Sequence, residues 1–220
     1  MLHALRSFRK RLLLEVGIGT GRNALPLLEK VDSSIVGLDL SREMLELARN
    51  KISSFKRNLN LVRGDLEHLP FVDRSFDVII CMSTMHYFEH QAQTLEKFSR
   101  ALKERGTLLY GDITLHESDD QRFCDMLERT LSKGHASYYK PSEIRRLLQS
   151  RGFRVKMMRT IAYRKSYRSL MEDKGEYFDV TLGMLNKCIR MAGADAKQQY
   201  GLRDTGLTLF YTVVTAEKEH

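Results

Sequence analysis

Along this chain, short apolar runs alternate with segments whose apolar residues recur at helical spacing. Leu12-Leu13-Leu14-Glu15-Val16 is such a run, broken by one acid, and it reads as a buried parallel strand. Further strands are expected at Ser34–Asp39, Asn60–Arg63, Ser75–Met82, Thr107–Ile113, Arg154–Ile161 and Leu207–Ala216, the last rich in Thr, Val, Phe and Tyr. Between them, Ser41 is a good N-cap for a helix to Arg49, with Met44, Leu45, Leu47 and Ala48 at helical spacing. A second helix is expected from Gln91 to Lys103, with Gly106 as its C-cap. Others are expected at Pro141–Gln149, turning through Gly152-Phe153, and at Val180–Met191. Strands and helices in alternation predict an α/β sheet with helices on both faces.

The 220 residues suit one sizeable domain, so residues 1–220 are read as a single unit. Segments 114–139 and 162–206 do not fit the alternation. They are expected to be insertions capping the substrate side, the second being too apolar for a linker. Met1 to Arg11 is basic and acid-free, and reads as a short N-terminal helix or arm rather than a transit peptide. The formal net charge is +8, but Lys and Arg are spread along the chain. That favours a basic, solvated surface over nucleic-acid binding, which stays open as an alternative. Cys81, Cys124 and Cys188 lie far apart without a Cys-x-x-Cys pair, which excludes a disulfide framework and a zinc site and fits a cytoplasmic protein. No apolar run is long enough to cross a bilayer, so no membrane partner is expected.

The chemistry concentrates after the first strand. Glu15 precedes Gly17, Gly19 and Gly21, and the following segment from Asn23 to Leu28 reads as a helix with Pro26 in its first turn. A strand turning through glycines into a helix is a cradle for a nucleotide ligand, because bare backbone can lie against it. Arg22 stands where a dinucleotide fold needs its third glycine, and no Gly-Lys-Ser/Thr follows for a phosphate loop. Asp39 ends the second strand about twenty residues on, where a carboxylate can accept both hydroxyls of a ribose.

Glu-x-Gly-x-Gly-x-Gly, Asp39, Gly64-Asp65-x-x-x-Leu69-Pro70-Phe71 and Phe76-Asp77-x-Val78 together resemble the class I S-adenosylmethionine (SAM)-dependent methyltransferases, most closely the small-molecule, ubiquinone-biosynthesis type. The resemblance implies a Rossmann-like, doubly wound sheet of about seven strands, mostly parallel with the last antiparallel. It implies SAM as cofactor and S-adenosylhomocysteine as product. Glu15, Gly17, Gly19, Gly21, Asp39, Leu40, Met44, Gly64, Asp65, Leu66, Met82 and Ser83 are the cofactor-binding residues it implies. Asp65 and Leu66 would meet the adenine, and Met44 would cover it, although core packing serves Met44 nearly as well. Asp77 is expected to be structural. Lys103-Glu104-Arg105-Gly106 departs from the family's Lys-Pro-Gly-Gly, which bears on turn geometry.

His86 and Tyr87, at the exit of the fourth strand, are the catalytic candidates, with Asp112 and His116 also available as bases; second-shell packing explains His86 equally well. His116, His135 and the pair Tyr138-Tyr139 are expected to border a pocket. No metal site is implied. The favoured function is methyl transfer to a small-molecule N, O or S acceptor by a monomer or homodimer. An RNA or protein methyltransferase and a SAM-binding subunit without its own catalysis remain the alternatives.

Overall fold

A computed structural model describes residues 11–24, 32–52, 59–65, 68–132, 134–172, 182–203 and 205–219. The expected helix at 23–28 and the N-terminal arm therefore fall largely outside the described residues. Seven strands form one sheet: β1 (Leu12–Val16), β2 (Ser34–Asp39), β3 (Leu59–Arg63), β4 (Phe76–Met82), β5 (Leu102–Thr114), β6 (Phe153–Ser166) and β7 (Gly206–Lys218). Their order is β3-β2-β1-β4-β5-β7-β6. All neighbours are parallel except β7, which runs antiparallel to both β5 and β6. This is the Rossmann-like doubly wound sheet that the pattern and the resemblance implied.

The helices follow the hydrophobic pattern. Helix α1 (Arg42–Ile52) starts at Ser41, whose Oγ accepts the Met44 N–H at 3.2 Å as an N-cap should. Ala48 of α1 packs on one sheet face with Leu13, Ile35, Val78, Ile80 and Leu109. On the other face, Leu95 and Phe98 of α2 (Gln91–Ala101) and Ile144 and Leu148 of α4 (Pro141–Ser150) bury Leu14, Ile79, Leu108 and Val214. Burial on both faces explains why the central strands read as unbroken apolar runs.

Two expectations need correction. Helix α2 ends at Ala101, not Lys103, and Gly106 does not cap it. The reversal instead uses Arg105 at φ 58°, and Gly106 is needed because a Cβ there would sit 2.8 Å from the Lys103 carbonyl oxygen. Lys103 then reaches back, donating from Nζ to Asp77 Oδ2 at 2.9 Å. Asp77 also accepts the Leu12 N–H at 3.0 Å, so it ties β1 to β4. Second, β6 continues five residues past Ile161, paired with β7 through Ser166 and Gly206. Residues 162–166 and 206 are thus strand, and 114 belongs to β5. The described parts of the two expected insertions share one core. Phe123, Leu127 and Leu131 of α3 (Phe123–Leu131) share a core with Tyr167 and Leu170 of α5 (Tyr167–Glu172), Leu185 of α6 (Leu182–Met191), and Ala196 of α7 (Ala194–Gln199) with Tyr200 after it.

That second core closes around a buried phenol. Tyr200 is fully enclosed; its Oη donates to Asp119 Oδ2 at 2.6 Å and accepts the His116 N–H at 3.0 Å. Because β5 and β6 end, and β7 begins, at the carboxyl edge of the parallel strands, the cap sits at that edge.

Candidate active site

Val16, the last residue of β1, lies beside Leu38 of β2 and Cys81 of β4. Strand order reverses here, and in open α/β sheets the crevice at such a point receives ligands. The chain leaves β1 with Gly17, Gly19 and Gly21 at φ 70°, 54° and 78°, a region that L side chains rarely enter. Gly17 is also sterically obligatory, since a Cβ there would lie 2.4 Å from Thr84 Oγ1. Gly19 differs: nothing lies within 4 Å of where its Cβ would be, so its backbone borders open space.

Asp39 is held at this crevice by two backbone donors. The Gly19 N–H reaches Oδ2 at 2.7 Å and the Ser41 N–H reaches Oδ1 at 2.9 Å. Each oxygen keeps a lone pair for a further donor. Leu40 stands beside it, 60% exposed, and Met44 is half-buried in the first turn of α1. The Gly64 N–H donates to the Asp39 carbonyl at 3.0 Å, which brings the exit of β3 and Asp65 to the same edge. Asp65 is exposed and pairs through Oδ2 with His68 Nδ1 at 2.7 Å. Leu66 lies outside the described residues.

Glu15 is the anomaly of the site. It is 1% exposed, and neither carboxyl oxygen has a hydrogen bond among the described residues. Burial pushes its carboxyl up to about 8, and the Asn23 side chain, short of a full hydrogen bond, offsets this only in part. A buried carboxyl with no hydrogen bond among the described residues is costly to ionise.

On the other side of the crevice, β4 ends in Ser83 at φ 53°, whose N–H donates to the Gly111 carbonyl at 2.7 Å. Its Oγ meets Tyr211 Oη at 3.1 Å. Gly111 leaves room for both the Met82 thioether and the Tyr211 phenol. One 3₁₀ turn then presents His86 and Tyr87. His86 is buried, and its Nδ1 pairs with Asp112 Oδ1 at 2.8 Å. Asp112 also accepts the His86 N–H at 3.1 Å and the Ile113 N–H at 2.8 Å, so it is fixed by three donors. With Nδ1–H given to the carboxylate, the neutral imidazole keeps its lone pair on Nε2. Tyr87 is exposed, with its ring 4.1 Å from that of His86. Partial burial, then the charges of Glu128 and Asp112, raise its hydroxyl above the ordinary phenol value, which keeps it protonated near neutral pH.

The other expected pocket residues are differently employed. The His135 ring is sealed in the cap with Nε2 on Asp125 Oδ1 at 2.9 Å, and Tyr138 is buried against it. His116 packs on Phe210 at a centroid distance of 5.1 Å, and Tyr139 is half-buried. None of these patterns is visible without the cap's packing. The loop they belong to touches the site through its backbone: the Ala136 N–H donates to the His86 carbonyl at 2.8 Å. Sequence reasoning missed Thr84, the floor under Gly17, and Tyr211, whose only signal was an aromatic in a strand.

Comparison with known proteins agrees with this geometry. Residues 13–106, the stretch holding the glycine turn, Asp39, Asp65 and β4, match the family model described as "Methyltransferase domain". That stretch of the chain is therefore similar to the methyltransferase domain. Among curated relatives, an uncharacterized protein of Methanocaldococcus jannaschii is 28% identical over 149 residues, 67% of each chain. Phthiotriol/phenolphthiotriol dimycocerosates methyltransferase 1 of Mycobacterium ulcerans is 37% identical over 102 residues, 46% of this chain and 37% of that one. The chain thus spans well under half of that enzyme. A crystal structure of a putative methyltransferase from Bacillus halodurans superposes with a TM-score of 0.87 at 23% identity, covering 100% of this chain and 97% of that one. The likeness extends the shared fold over the cap as well as the sheet.

Proposed function

We propose that this methyltransferase moves a methyl group from SAM to an N, O or S atom of a small molecule, in the cytoplasm, as a monomer or homodimer. The observation that carries the cofactor half is the buried Glu15 carboxyl at the base of the glycine turn, without a hydrogen bond among the described residues. The residues present fit SAM: bare backbone at Gly19 for close approach, spare lone pairs on Asp39 for the ribose, Leu40 and Met44 for the adenine face, and Glu15 for the amino-acid cation. Gly64, Asp65 and Leu66 would complete the adenine side, and Met82 and Ser83 the methionine side. When bound, SAM supplies a methyl group on a sulfonium, an electrophile with a good leaving group.

The chain's own residues then do two things. The cap and β4 exit hold the acceptor at attack distance, where much of the acceleration of an in-line transfer arises. His86, oriented by Asp112, takes the acceptor's proton at Nε2, which suits a hydroxyl, thiol or ammonium acceptor and favours an enzyme over a non-catalytic subunit. Among the described residues no helix is long and apolar enough to cross a membrane. The test is calorimetry with SAM, S-adenosylhomocysteine and NAD on the wild type and on Asp39→Ala, followed by S-adenosylhomocysteine release against an acceptor panel. Binding of the two adenosyl ligands alone, weakened in the variant, supports the reading. Binding of neither overturns it.

A further inference from the structure

Three positive charges converge at one place in the cap. Several described arginines and lysines elsewhere pair with acids, as in Arg42–Glu46, Arg100–Asp73, Lys140–Asp120 and Arg154–Glu217. A cavity of about 430 Å³ at the root of the cap is different. Among the described residues it is lined by Arg190, Lys197 and Arg203 with Tyr167, Asn186, Ile189 and Leu202, and by no acidic side chain. None of the three cations makes an ion pair or a side-chain hydrogen bond among the described residues. Asn186, Ile189 and Arg190 lie three and four residues apart on α6, so they share one helix face.

The opposite wall is fixed rather than loose. The Arg164 guanidinium donates to the carbonyls of Gly201 and Gly206, pinning the turn that carries Leu202 and Arg203. Leu202 N–H donates to the Lys197 carbonyl at 3.0 Å, and Arg203 and Gly206 exchange backbone bonds at 3.2 and 3.3 Å. Three like charges held around one concavity repel one another, which is tolerable where an anion sits between them. Two guanidiniums offer planar, paired donors that match phosphate oxygens, and an ammonium adds a point charge. Ile189 and Leu202 supply apolar contact beside them. The volume is that of a small-molecule site rather than of one inorganic ion.

We propose that this cavity binds the phosphate of a small organic phosphate, with the organic part lying on Ile189 and Leu202. It is built from the cap alone and does not depend on the methyl-transfer reading, so a failure of cofactor binding leaves it standing. The test is calorimetry with phenyl phosphate, inorganic phosphate and a short single-stranded RNA, in saturating S-adenosylhomocysteine to occupy the cofactor crevice. The proteins are wild type, Arg190→Gln and Arg203→Gln, each checked by thermal melting.

Phenyl phosphate should bind more tightly than inorganic phosphate, and each substitution should weaken it roughly 5- to 10-fold, as loss of one charge-assisted contact implies, with the melting temperature little changed. Leu202→Ala should narrow the gap between the two phosphates. Binding of RNA without phenyl phosphate would assign the cations to a polymer and overturn the small-molecule site. So would the absence of any binding, or phenyl phosphate binding that ignores both arginines.

Discussion

Glu15 makes a quantitative demand on the free protein. Its carboxyl moves from an ordinary 4.5 to about 8 because burial disfavours the charged form. A folded value above the unfolded one means that the folded state holds the proton more tightly. The resulting stabilisation is whole below pH 4.5 and is lost as the pH rises through 8. From those two values, linkage gives a loss of about 2 kcal/mol between pH 6 and pH 8, or roughly 5 °C in melting temperature for a domain of this size. Glu15→Gln keeps the shape and removes the ionisation. Melts of the two proteins at both pH values should show the wild type losing that increment and the variant not. Parallel pH profiles would refute the account of Glu15 as an uncompensated buried acid. The same logic reaches the cofactor. A cation placed against Glu15 would draw its carboxyl down, so SAM binding near pH 7 should release close to one proton, measurable by calorimetry in buffers of different ionisation enthalpy. Glu15→Gln should abolish that release.

The glycines separate folding from binding. Gly17→Ala meets Thr84 and should cost several kcal/mol, on the order of an overpacked core site, seen as a large fall in melting temperature. Gly19→Ala enters open space and should cost only about 1 kcal/mol from its positive φ, yet weaken S-adenosylhomocysteine at least tenfold in a titration. Asp39→Asn should keep the fold and lose adenosyl affinity, because an amide cannot accept as many donors as the carboxylate; equal affinity would count against its ribose role. Asp112→Asn should lower kcat more than it raises KM and alter the pH profile of kcat, whereas an unchanged profile would remove His86 from proton transfer.

The cofactor half of the site was readable because it is local. Glu15, the three glycines and Asp39 fall within one strand, one turn and the next strand, and the key bond from Gly19 to Asp39 spans only 20 residues. The glycines there are dictated by positive φ and Asp39 by two backbone donors, and such constraints appear directly as Gly or Asp. The central strands were readable for a similar reason, since burial on both faces leaves few polar positions inside them, Glu15, Asp77 and Asp112 among them. Boundaries failed where packing outvoted the local signal. Gly106 looked like a cap because glycine usually ends helices, but its actual constraint is the Lys103 carbonyl pressed against it. The end of β6 was missed because residues 159–164 are exposed, so no apolar alternation marks them as strand.

The acceptor side was opaque because its contacts are long in sequence. Ser83 meets Tyr211 across 128 residues, and His86 meets Asp112 across 26. In the cap, Asp119 meets Tyr200 across 81. A histidine on a short turn is uninformative until the neighbouring strand β5 supplies a carboxylate fixed by three donors. The same holds for charge. A total of +8 distributed along the chain suggests only a solvated surface. Ion pairing neutralises part of it locally, and Arg190, Lys197 and Arg203, unpaired among the described residues, converge because α6, α7 and the turn pinned by Arg164 come together. Net charge therefore says little about partners, whereas charge left over after pairing, and the rigidity of the frame that holds it, specifies both a place and a ligand chemistry.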